Sequence, residues 1–304
     1  MVFEADLERN LFAIQARLQS GTWRHGSYQP FMVHDPKLRR IHKASVADRV
    51  VHQALFRQLE PIFEPTFVPH TWSCRRGKGV AAAVDHVHTR LEQISRYGNR
   101  EVFVLQCDIK SFFASIDHNV LVGLLAVHVN DARVMAILRN IVDSHAPGMP
   151  LGNVTSQLFA NIVLTPLDRF VLGTCRPQVY ARYCDDLLIA GMNIGELLAR
   201  TAPIGMFLQN TLKLALHPKK TTLRRYCSGI DWLGVRLLHG GRRRMRAVTR
   251  RRAWRKIDAT VRGVMDGEVN DEEWRAVTAS YRGVFERGYA EKDVAILDLL
   301  QKVF

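Results

Sequence analysis

Aspartates at the ends of two apolar segments are the residues best suited to chemistry. Asp185 and Asp186 are adjacent within "YARYCDDLLIAG", and Asp108 ends the apolar run "EVFVLQCD". Aspartate is common in turns, so the pair by itself predicts only an ordinary hairpin turn. A single buried aspartate such as Asp108 is equally well explained as a hydrogen-bonded structural carboxylate.

The three carboxylates acquire another role if the strand that ends at Asp108 lies beside the hairpin. Two like charges ~4 Å apart repel by about 4 kcal/mol at an effective dielectric of 20, so three need cations between them. Hard oxygen ligands favour Mg²⁺, and two Mg²⁺ ions stabilise the attacking and leaving oxygens of an in-line displacement. The aspartates therefore predict two-metal nucleotidyl transfer, the chemistry of a polymerase palm.

Composition indicates the class of partner. The chain has 304 residues, is 47% hydrophobic and carries 43 Lys and Arg against 29 acidic residues, a formal charge of +14. This excess favours nucleic acid, with an anionic membrane surface as the second candidate. We expect no secretion signal and no apolar run near the ~18–20 residues of a membrane span. The five cysteines form no CxxC pair and indicate free thiols in a reducing, cytoplasmic setting without zinc.

Apolar spacing and chain breakers predict the elements that must position the aspartates. Helices are predicted over 4–19, from the "SVAD" capping box to Pro61, after "CRRGKG", and over 118–142, 158–172 and 196–214. Extended segments are predicted over 28–41, over 101–113 with its strand ending at Asp108, in the hairpin, and as one short strand "IDWLGVRLL". The basic block 242–256 opens a helical subdomain with a break at "MDGEVND".

The order of these segments resembles that of bacterial reverse transcriptases. The matching stretches are "PKLRRI", "ADRVVHQAL", "PIFEPTF", "SCRRGKGVAAAV", "CDIKSFFASID", "MPLGNVTSQLFANIVLTPLD", "YCDD", "LALHPKKTTL" and "WLGVRL", which together cover about residues 20–240. "LGNVTSQ" and "RRGKG" are similar to reverse transcriptases of diversity-generating retroelements. Most of the wider family has Gln where this chain has Leu151, and Cys184 fills a position that is more often Val or Met.

The resemblance implies an α+β right-hand polymerase fold. It places fingers at 1–100 with 118–147, a palm with an antiparallel sheet at 101–239, and a short helical thumb at 240–304. It also implies an RNA-directed DNA polymerase (reverse transcriptase) that uses dNTPs and two Mg²⁺ ions to copy a specific template RNA into cDNA, holding an RNA/DNA hybrid. Copying that is error-prone at template adenines would serve mutagenic retrohoming with a small basic accessory protein oligomer. The protein would be encoded by a bacterium or a phage.

Two alternatives stay open. Reverse transcriptases of similar size serve anti-phage defence or other retroelements. A non-catalytic RNA-binding scaffold of polymerase descent is the other alternative, and the presence of all three aspartates argues against it.

The resemblance also assigns roles to individual residues. Metal ligands are Asp108, Asp185, Asp186 and the Ile109 carbonyl, and Lys220 is the proton donor to the leaving pyrophosphate. Nucleotide-binding residues are Arg39, Arg75, Phe113, Leu151, Gly152 and Gln157, with Ser156 beside them. Nucleic-acid-binding residues are Trp232, Leu233 and Gly234, which also suit a small core strand, and Arg244, Arg246, Arg250 and Arg251, which also suit a solvated helix.

Phe113 is the predicted steric gate against a ribose 2′-OH. Strand alternation would then point Phe112 the other way. By periodicity alone, both rings could equally belong to the core.

Overall fold

The computed structural model describes residues 3–34, 38–287 and 290–303, so Pro36 and Lys37 of "PKLRRI" lie outside the described residues. Its helices are α1 Leu7–Gln19, α2 Val46–Phe63, α3 Val80–Ile94, α4 Phe112–Ser115, α5 His118–Ala126, α6 Ala132–Asp143, α7 Val154–Phe170, α8 Ile194–Ala199, α9 Thr201–Phe207, α10 Ala247–Met265, α11 Asp271–Arg287 and α12 Glu291–Val303. Its strands are β1 Gln29–Val33, β2 Arg39–Lys43, β3 Phe103–Asp108, β4 Val179–Tyr183, β5 Asp186–Gly191, β6 Thr222–Arg225, β7 Ile230–Trp232, β8 Val235–Leu237 and β9 Arg243–Met245.

Helix α2 shows where local sequence signals succeed and fail. Ser45 caps its N-terminus by accepting the Asp48 N–H at 3.1 Å, which confirms the predicted capping box. The prediction that Pro61 ends this helix is wrong, since α2 continues to Phe63. Pro61 lacks the N–H that would donate to the carbonyl four residues earlier, and the helix continues for two residues despite this loss.

Two further boundaries differ from the sequence prediction. Helix α7 begins at Val154 rather than at 158, so Ser156 and Gln157 belong to its first turn. The single strand predicted for "IDWLGVRLL" is an antiparallel pair, β7 and β8, which turns at Leu233 and Gly234 with φ of +47° and +88°.

Three sheets are present among the described residues. β1 and β2 form an antiparallel hairpin that pairs Gln29 with Lys43 and Val33 with Arg39. The central sheet has the order β4-β5-β3-β6, and the third has the order β7-β8-β9. The central order places β5, which begins at Asp186, directly beside β3, which ends at Asp108.

The chain divides into two compact units. The first comprises Met1–Gly79, Gln106–Leu188 and Gly195–Thr222, and the second comprises Val80–Leu105, Ile189–Ile194 and Leu223–Phe304. These boundaries differ from the predicted fingers, palm and thumb, which stay a prediction.

Helix α7 forms the core of the first unit. Its buried residues include Leu158, Phe159, Ile162 and Leu167, and it packs on α2 and α5. Among the described residues one helical stretch, Val154–Cys175, is long and apolar enough to cross a membrane, but 61% of its most apolar window is buried inside the protein. The prediction that no apolar run approaches this length is therefore wrong, although a core helix meets the same criterion.

The second unit contains a three-helix core. Ala253 and Ile257 of α10 pack with Trp274 and Phe285 of α11 and with Leu297 of α12. In the same unit, Glu92 of α3 accepts a hydrogen bond from the Tyr226 hydroxyl at 2.5 Å and one from the Gly241 N–H at 2.9 Å.

Candidate active site

The end of β3 lies beside the turn between β4 and β5. Asp108 is the last residue of β3, and Asp185 occupies the turn that precedes β5. The Ile109 N–H donates to the backbone oxygen of Asp185 at 3.3 Å. The sequence prediction that this strand end adjoins the hairpin is therefore confirmed at the level of the backbone.

The two carboxylates affect each other electrostatically. Burial is the main cause of the raised pKa of Asp185, and the negative charge of Asp108 raises that pKa further. Asp186 is different, because its side chain is exposed at the start of β5. Within residues 3–34, 38–287 and 290–303, no three His, Cys, Asp or Glu side chains are grouped so that they could hold a metal ion.

The turn thus brings the Asp108 and Asp185 carboxylates together, and the participation of Asp186 stays a prediction. Asp185 lies in the turn and is half-buried, whereas Asp186 begins β5 and is exposed. Asp108 and Asp185 remain a pair of hard oxygen donors, the ligand chemistry that suits Mg²⁺.

A lysine neutralises part of this acidic site. The Lys220 ammonium lies 2.9 Å from Oδ1 and 2.9 Å from Oδ2 of Asp108. Backbone hydrogen bonds bring the segment of Lys220 to the end of β3. The His217 N–H donates to the backbone oxygen of Asp108 at 2.7 Å, and the Lys110 N–H donates to the backbone oxygen of Ala215 at 2.9 Å. Lys220 is therefore placed beside the carboxylate pair, where its predicted role as proton donor can be tested.

Buried residues that the sequence analysis missed contact the turn that carries Asp185. The Arg182 guanidinium and the Asp168 carboxylate are both fully buried and form an ion pair with an N–O distance of 2.7 Å. Ser73 accepts a hydrogen bond from the N–H of Cys184 at 2.9 Å. An arginine and an aspartate inside otherwise apolar segments were the signal that could have identified the buried pair.

Residues after Asp108 form a helical turn rather than a continued strand. Phe112 and Phe113 both belong to α4. Phe112 is 2% exposed, whereas Phe113 is only half-buried, and the ring centroids lie 5.3 Å apart in an edge-to-face arrangement. The prediction that strand alternation points Phe112 the other way is wrong, because both residues lie in one helical turn and their rings are in contact. The two rings do differ in burial, and the role of Phe113 as a steric gate stays a prediction.

The loop before α7 connects this turn to the β1–β2 hairpin. The Met149 N–H donates to the Phe113 oxygen at 2.7 Å, and the His42 N–H donates to the Leu151 oxygen at 3.0 Å. Gly152 has φ of +114°, and a Cβ added there would lie 2.7 Å from Cγ2 of Ile41. Glycine is therefore required at 152 by both its backbone conformation and the close approach of β2.

Three predicted nucleotide-binding residues are accessible near this loop. Arg39 is exposed at the start of β2, Leu151 is half-buried, and Gln157 is exposed on the first turn of α7. Asn153 Nδ2 and Ser156 Oγ are buried and have no hydrogen-bond partner among the described residues. Buried polar atoms without a partner are uncommon, and they are available here to a polar ligand.

Arg75 lies in a setting different from the predicted one. Its side chain is 8% exposed, and its Nε and Nη2 donate to Oε1 of Glu64 at 2.9 and 2.7 Å. Its Nη1 donates to the backbone oxygens of Val68 and Thr71 at 2.7 and 3.0 Å. The guanidinium thus braces the chain before the "RRGKG" turn, and binding of a triphosphate stays a prediction that would require these bonds to open.

In the second unit, the predicted primer-binding segment is split between core and surface. Trp232 is 3% exposed and belongs to the core, whereas Leu233 and Gly234 form the partly exposed turn between β7 and β8. The alternative of a small core strand therefore describes the Trp232 ring, and nucleic-acid binding by Leu233 and Gly234 stays a prediction.

The basic block 242–256 forms β9 and the first half of α10. A groove of about 600 Å³ runs along this helix and is lined by Ala247, Val248, Arg250, Arg251, Trp254, Arg255 and Asp258. Arg244 and Arg251 are exposed, and Arg246 lies 3.5 Å from Asp231. Arg250 instead donates to both carboxylate oxygens of Asp293 at 2.8 and 2.9 Å, so part of its predicted role is structural.

Comparisons with known proteins identify relatives of this chain. The sequence model of the family described as reverse transcriptase (RNA-dependent DNA polymerase) matches residues 34–237. Protein YkfC of Escherichia coli is 28% identical over 263 residues, which cover 70% of this chain and 68% of YkfC. Group II intron-encoded protein LtrA of Lactococcus lactis is 32% identical over 149 residues, which cover 45% of this chain but only 23% of LtrA.

Solved structures share the fold at low sequence identity. Apo telomerase from Candida tropicalis superposes with a TM-score of 0.56 at 10% identity, covering 74% of this chain and 49% of that chain. Telomerase from Candida albicans in complex with a fragment of telomeric RNA gives 0.54 at 8% identity, covering 90% and 57%. The chain thus spans about half the length of these telomerase chains, and the likeness confirms the predicted right-hand polymerase fold.

Proposed function

This chain belongs to the reverse transcriptase (RNA-dependent DNA polymerase) family, and we propose that it synthesises DNA on an RNA template from dNTPs. The observation that carries the proposal is the placement of Asp108 at a strand end beside the Asp185 turn, with the Lys220 ammonium 2.9 Å from the Asp108 carboxylate. A carboxylate pair with an adjacent proton donor is what transfer of a nucleotidyl group requires.

The proposed roles follow from position. Reverse transcriptases generally use divalent metal ions, and ions held by Asp108, Asp185 and Asp186, with the Ile109 carbonyl, would neutralise charge on the attacking and leaving oxygens. Lys220 donates a proton to the leaving pyrophosphate. Both carboxylate oxygens of Asp108 hold the Lys220 ammonium at the site. Phe113, at the partly exposed edge of α4, restricts the space beside the 2′ carbon of the incoming nucleotide.

The exposed arginines near the start of α10 suit the phosphate backbone of an RNA/DNA hybrid. Arg244 and Arg251 contribute positive charge along β9 and the α10 groove. Binding of this kind weakens steeply with salt, because each neutralised phosphate releases counterions.

Mutagenic retrohoming is the finer proposal. Its support is the resemblance of "LGNVTSQ" and "RRGKG" to diversity-generating retroelements, and an apolar Leu151 where most of the wider family has Gln. It would involve a specific template RNA and a small basic accessory oligomer. The second candidate is a reverse transcriptase of another retroelement, which the similarity to the group II intron-encoded protein LtrA favours.

Primer extension tests the polymerase proposal. Asp185→Asn should abolish Mg²⁺-dependent extension by dNTPs on an RNA template and leave RNA binding intact, because only a carboxylate is lost. Asp266→Asn, at an exposed aspartate after α10, is the matched control and should extend normally. Undiminished extension by Asp185→Asn would refute the assignment.

Stability separates loss of chemistry from loss of fold in this experiment. Burial raises the pKa of Asp185, so the folded state disfavours its ionised form, and the stability linked to that group falls as pH rises through its pKa. Asp185→Asn should therefore melt no lower than the wild type at neutral pH in the absence of metal. A lower melting temperature would show that the amide disrupts the turn.

A further inference from the structure

We propose that Arg182 and Ser73 are positioning residues that clamp the peptide groups of Cys184 and thereby aim Asp185 at the site beside Asp108. The inference rests on the proposed polymerase function. It concerns residues that contact no reacting atom and that act through the backbone of the turn.

The backbone at Cys184 needs external support. Its φ is +55°, in the left-handed region that non-glycine residues rarely adopt because Cβ crowds the following carbonyl. Such a conformation persists where the surroundings over-determine it, and it is frequent at functional sites. Cys184 immediately precedes Asp185, so any relaxation of this residue would redirect the carboxylate.

Two side chains form hydrogen bonds with the backbone N–H and the backbone carbonyl of Cys184. The Cys184 N–H donates to Ser73 Oγ at 2.9 Å, and the Cys184 carbonyl accepts from Nη1 of Arg182 at 2.9 Å. Ser73 is itself fixed, because its backbone oxygen accepts from Nδ2 of Asn161 in α7 at 2.9 Å. Both partners are buried, so water cannot replace either bond easily.

Arg182 is anchored so that one arm of its guanidinium reaches the turn. Nε and Nη2 donate to Oδ1 and Oδ2 of Asp168, each at 2.7 Å. Nη1 points away from this carboxylate and divides its hydrogens between Cys184 and Oδ1 of Asn161, the latter at 3.2 Å. Only the planar fork of arginine can make the bidentate pair and reach the turn at once.

The Asp168 carboxylate is fully occupied as well. It accepts from Thr71 Oγ1 at 2.8 Å and from the Tyr180 hydroxyl, in addition to the two donors of Arg182. A buried ion pair of this kind is weak evidence for stability, because an apolar pair of similar volume often stabilises a fold as well or better. The contact of Nη1 with the turn gives the pair a geometric task that apolar residues could not perform.

Three single variants separate clamping from folding. Ser73→Ala removes the acceptor of the Cys184 N–H, and Arg182→Lys keeps the positive charge against Asp168 but loses the fork. Tyr180→Phe is the matched control, because it removes a donor to the same carboxylate and leaves Cys184 untouched. Single-turnover extension gives the maximal rate and the Mg²⁺ concentration for half-maximal rate, and Mn²⁺ binding followed by electron paramagnetic resonance is the readout that needs no activity.

Ser73→Ala and Arg182→Lys should each lower the maximal rate by about tenfold, the effect of one lost hydrogen bond on a conformational population. Both should also weaken Mn²⁺ binding, and the melting temperature of Ser73→Ala should stay at or above that of Tyr180→Phe. Tyr180→Phe should lose stability and keep the rate and the Mn²⁺ affinity. If Arg182→Lys does not fold, Ser73→Ala carries the test alone.

Equal rates and Mn²⁺ affinities in Ser73→Ala and the wild type, or equal losses in Ser73→Ala and Tyr180→Phe, would overturn the proposal. Failure of the polymerase function has a different signature: the wild type itself would not extend a primer. Mn²⁺ affinity would then still compare the three variants and decide whether the clamp orders the carboxylates.

Discussion

The adjacent rings of Phe112 and Phe113 give the sharpest test of the site, because truncating each should change a different property. Truncation of Phe112 should lower stability, and truncation of Phe113 should alter the choice between ribonucleotides and deoxyribonucleotides. Phe112 is 2% exposed and Phe113 is half-buried on the same helical turn. Removing a buried phenyl ring leaves a cavity and costs about 3–5 kcal/mol. At about 2 °C per kcal/mol for a chain of this size, Phe112→Ala should lower the melting temperature by roughly 6–10 °C.

Phe113→Ala should have the opposite profile. It removes a ring that is only partly buried, so the loss of stability should be at most about 2 kcal/mol. The space opened beside the 2′ carbon of the incoming nucleotide should instead admit ribonucleotides.

Incorporation of single rNTPs and dNTPs on one RNA template, together with thermal melting, measures both properties. Phe112→Leu is the control, since it leaves a smaller cavity than Phe112→Ala, should cost less stability and should not alter sugar choice. Entry of ribonucleotides in Phe112→Ala, with no change in Phe113→Ala, would refute the assignment of the two rings.

Two more predictions concern Leu151, in the loop before α7, and His52, a buried residue of α2 whose Nδ1 lies 2.6 Å from Oγ1 of Thr155 in α7. Leu151→Gln should lower misincorporation opposite template adenine more than opposite the other bases, by roughly two- to twelvefold if the new side chain contributes one hydrogen bond. Single-nucleotide incorporation on four RNA templates that differ at one position measures this effect. An equal change at all four bases would show that Leu151 is a packing residue. Burial, and then the charge of His25, lower the pKa of His52 to about 4, so the unfolded chain binds a proton between about pH 6.5 and pH 4 that the folded chain does not. Stability should fall by about 3 kcal/mol from this group as pH drops through that window, and His52→Gln should flatten the fall in melting temperature; parallel profiles for variant and wild type would contradict the assignment.

The local sequence determined the features that depend on neighbours in the chain. The capping box at Ser45, the end of β3 at Asp108 and the hairpin around the paired aspartates each follow from residue types a few positions apart. The order of the motifs identified the family for the same reason, since each motif is a short contiguous pattern. Element boundaries at Pro61 and at the start of α7 were less accurate, because packing decides how far a marginal turn continues.

Only the tertiary structure decided how the buried charges and rings are used. Arg75 has the residue type and glycine-bearing turn of a phosphate ligand, yet most of its donors are committed to Glu64 and to nearby backbone oxygens. Asp185 and Asp186 are adjacent in sequence, yet Asp185 is half-buried in the turn and Asp186 is exposed at the start of β5.

The clamp on Cys184 could not be predicted locally, because Ser73 lies 111 residues away along the chain. A buried donor must find an acceptor, but the sequence does not state which distant segment will supply it. Patterns of period 2 and 3.6 specify the elements and thus bring the aspartates to strand ends. The orientation of each carboxylate depends on long-range hydrogen bonds that form only when those elements pack.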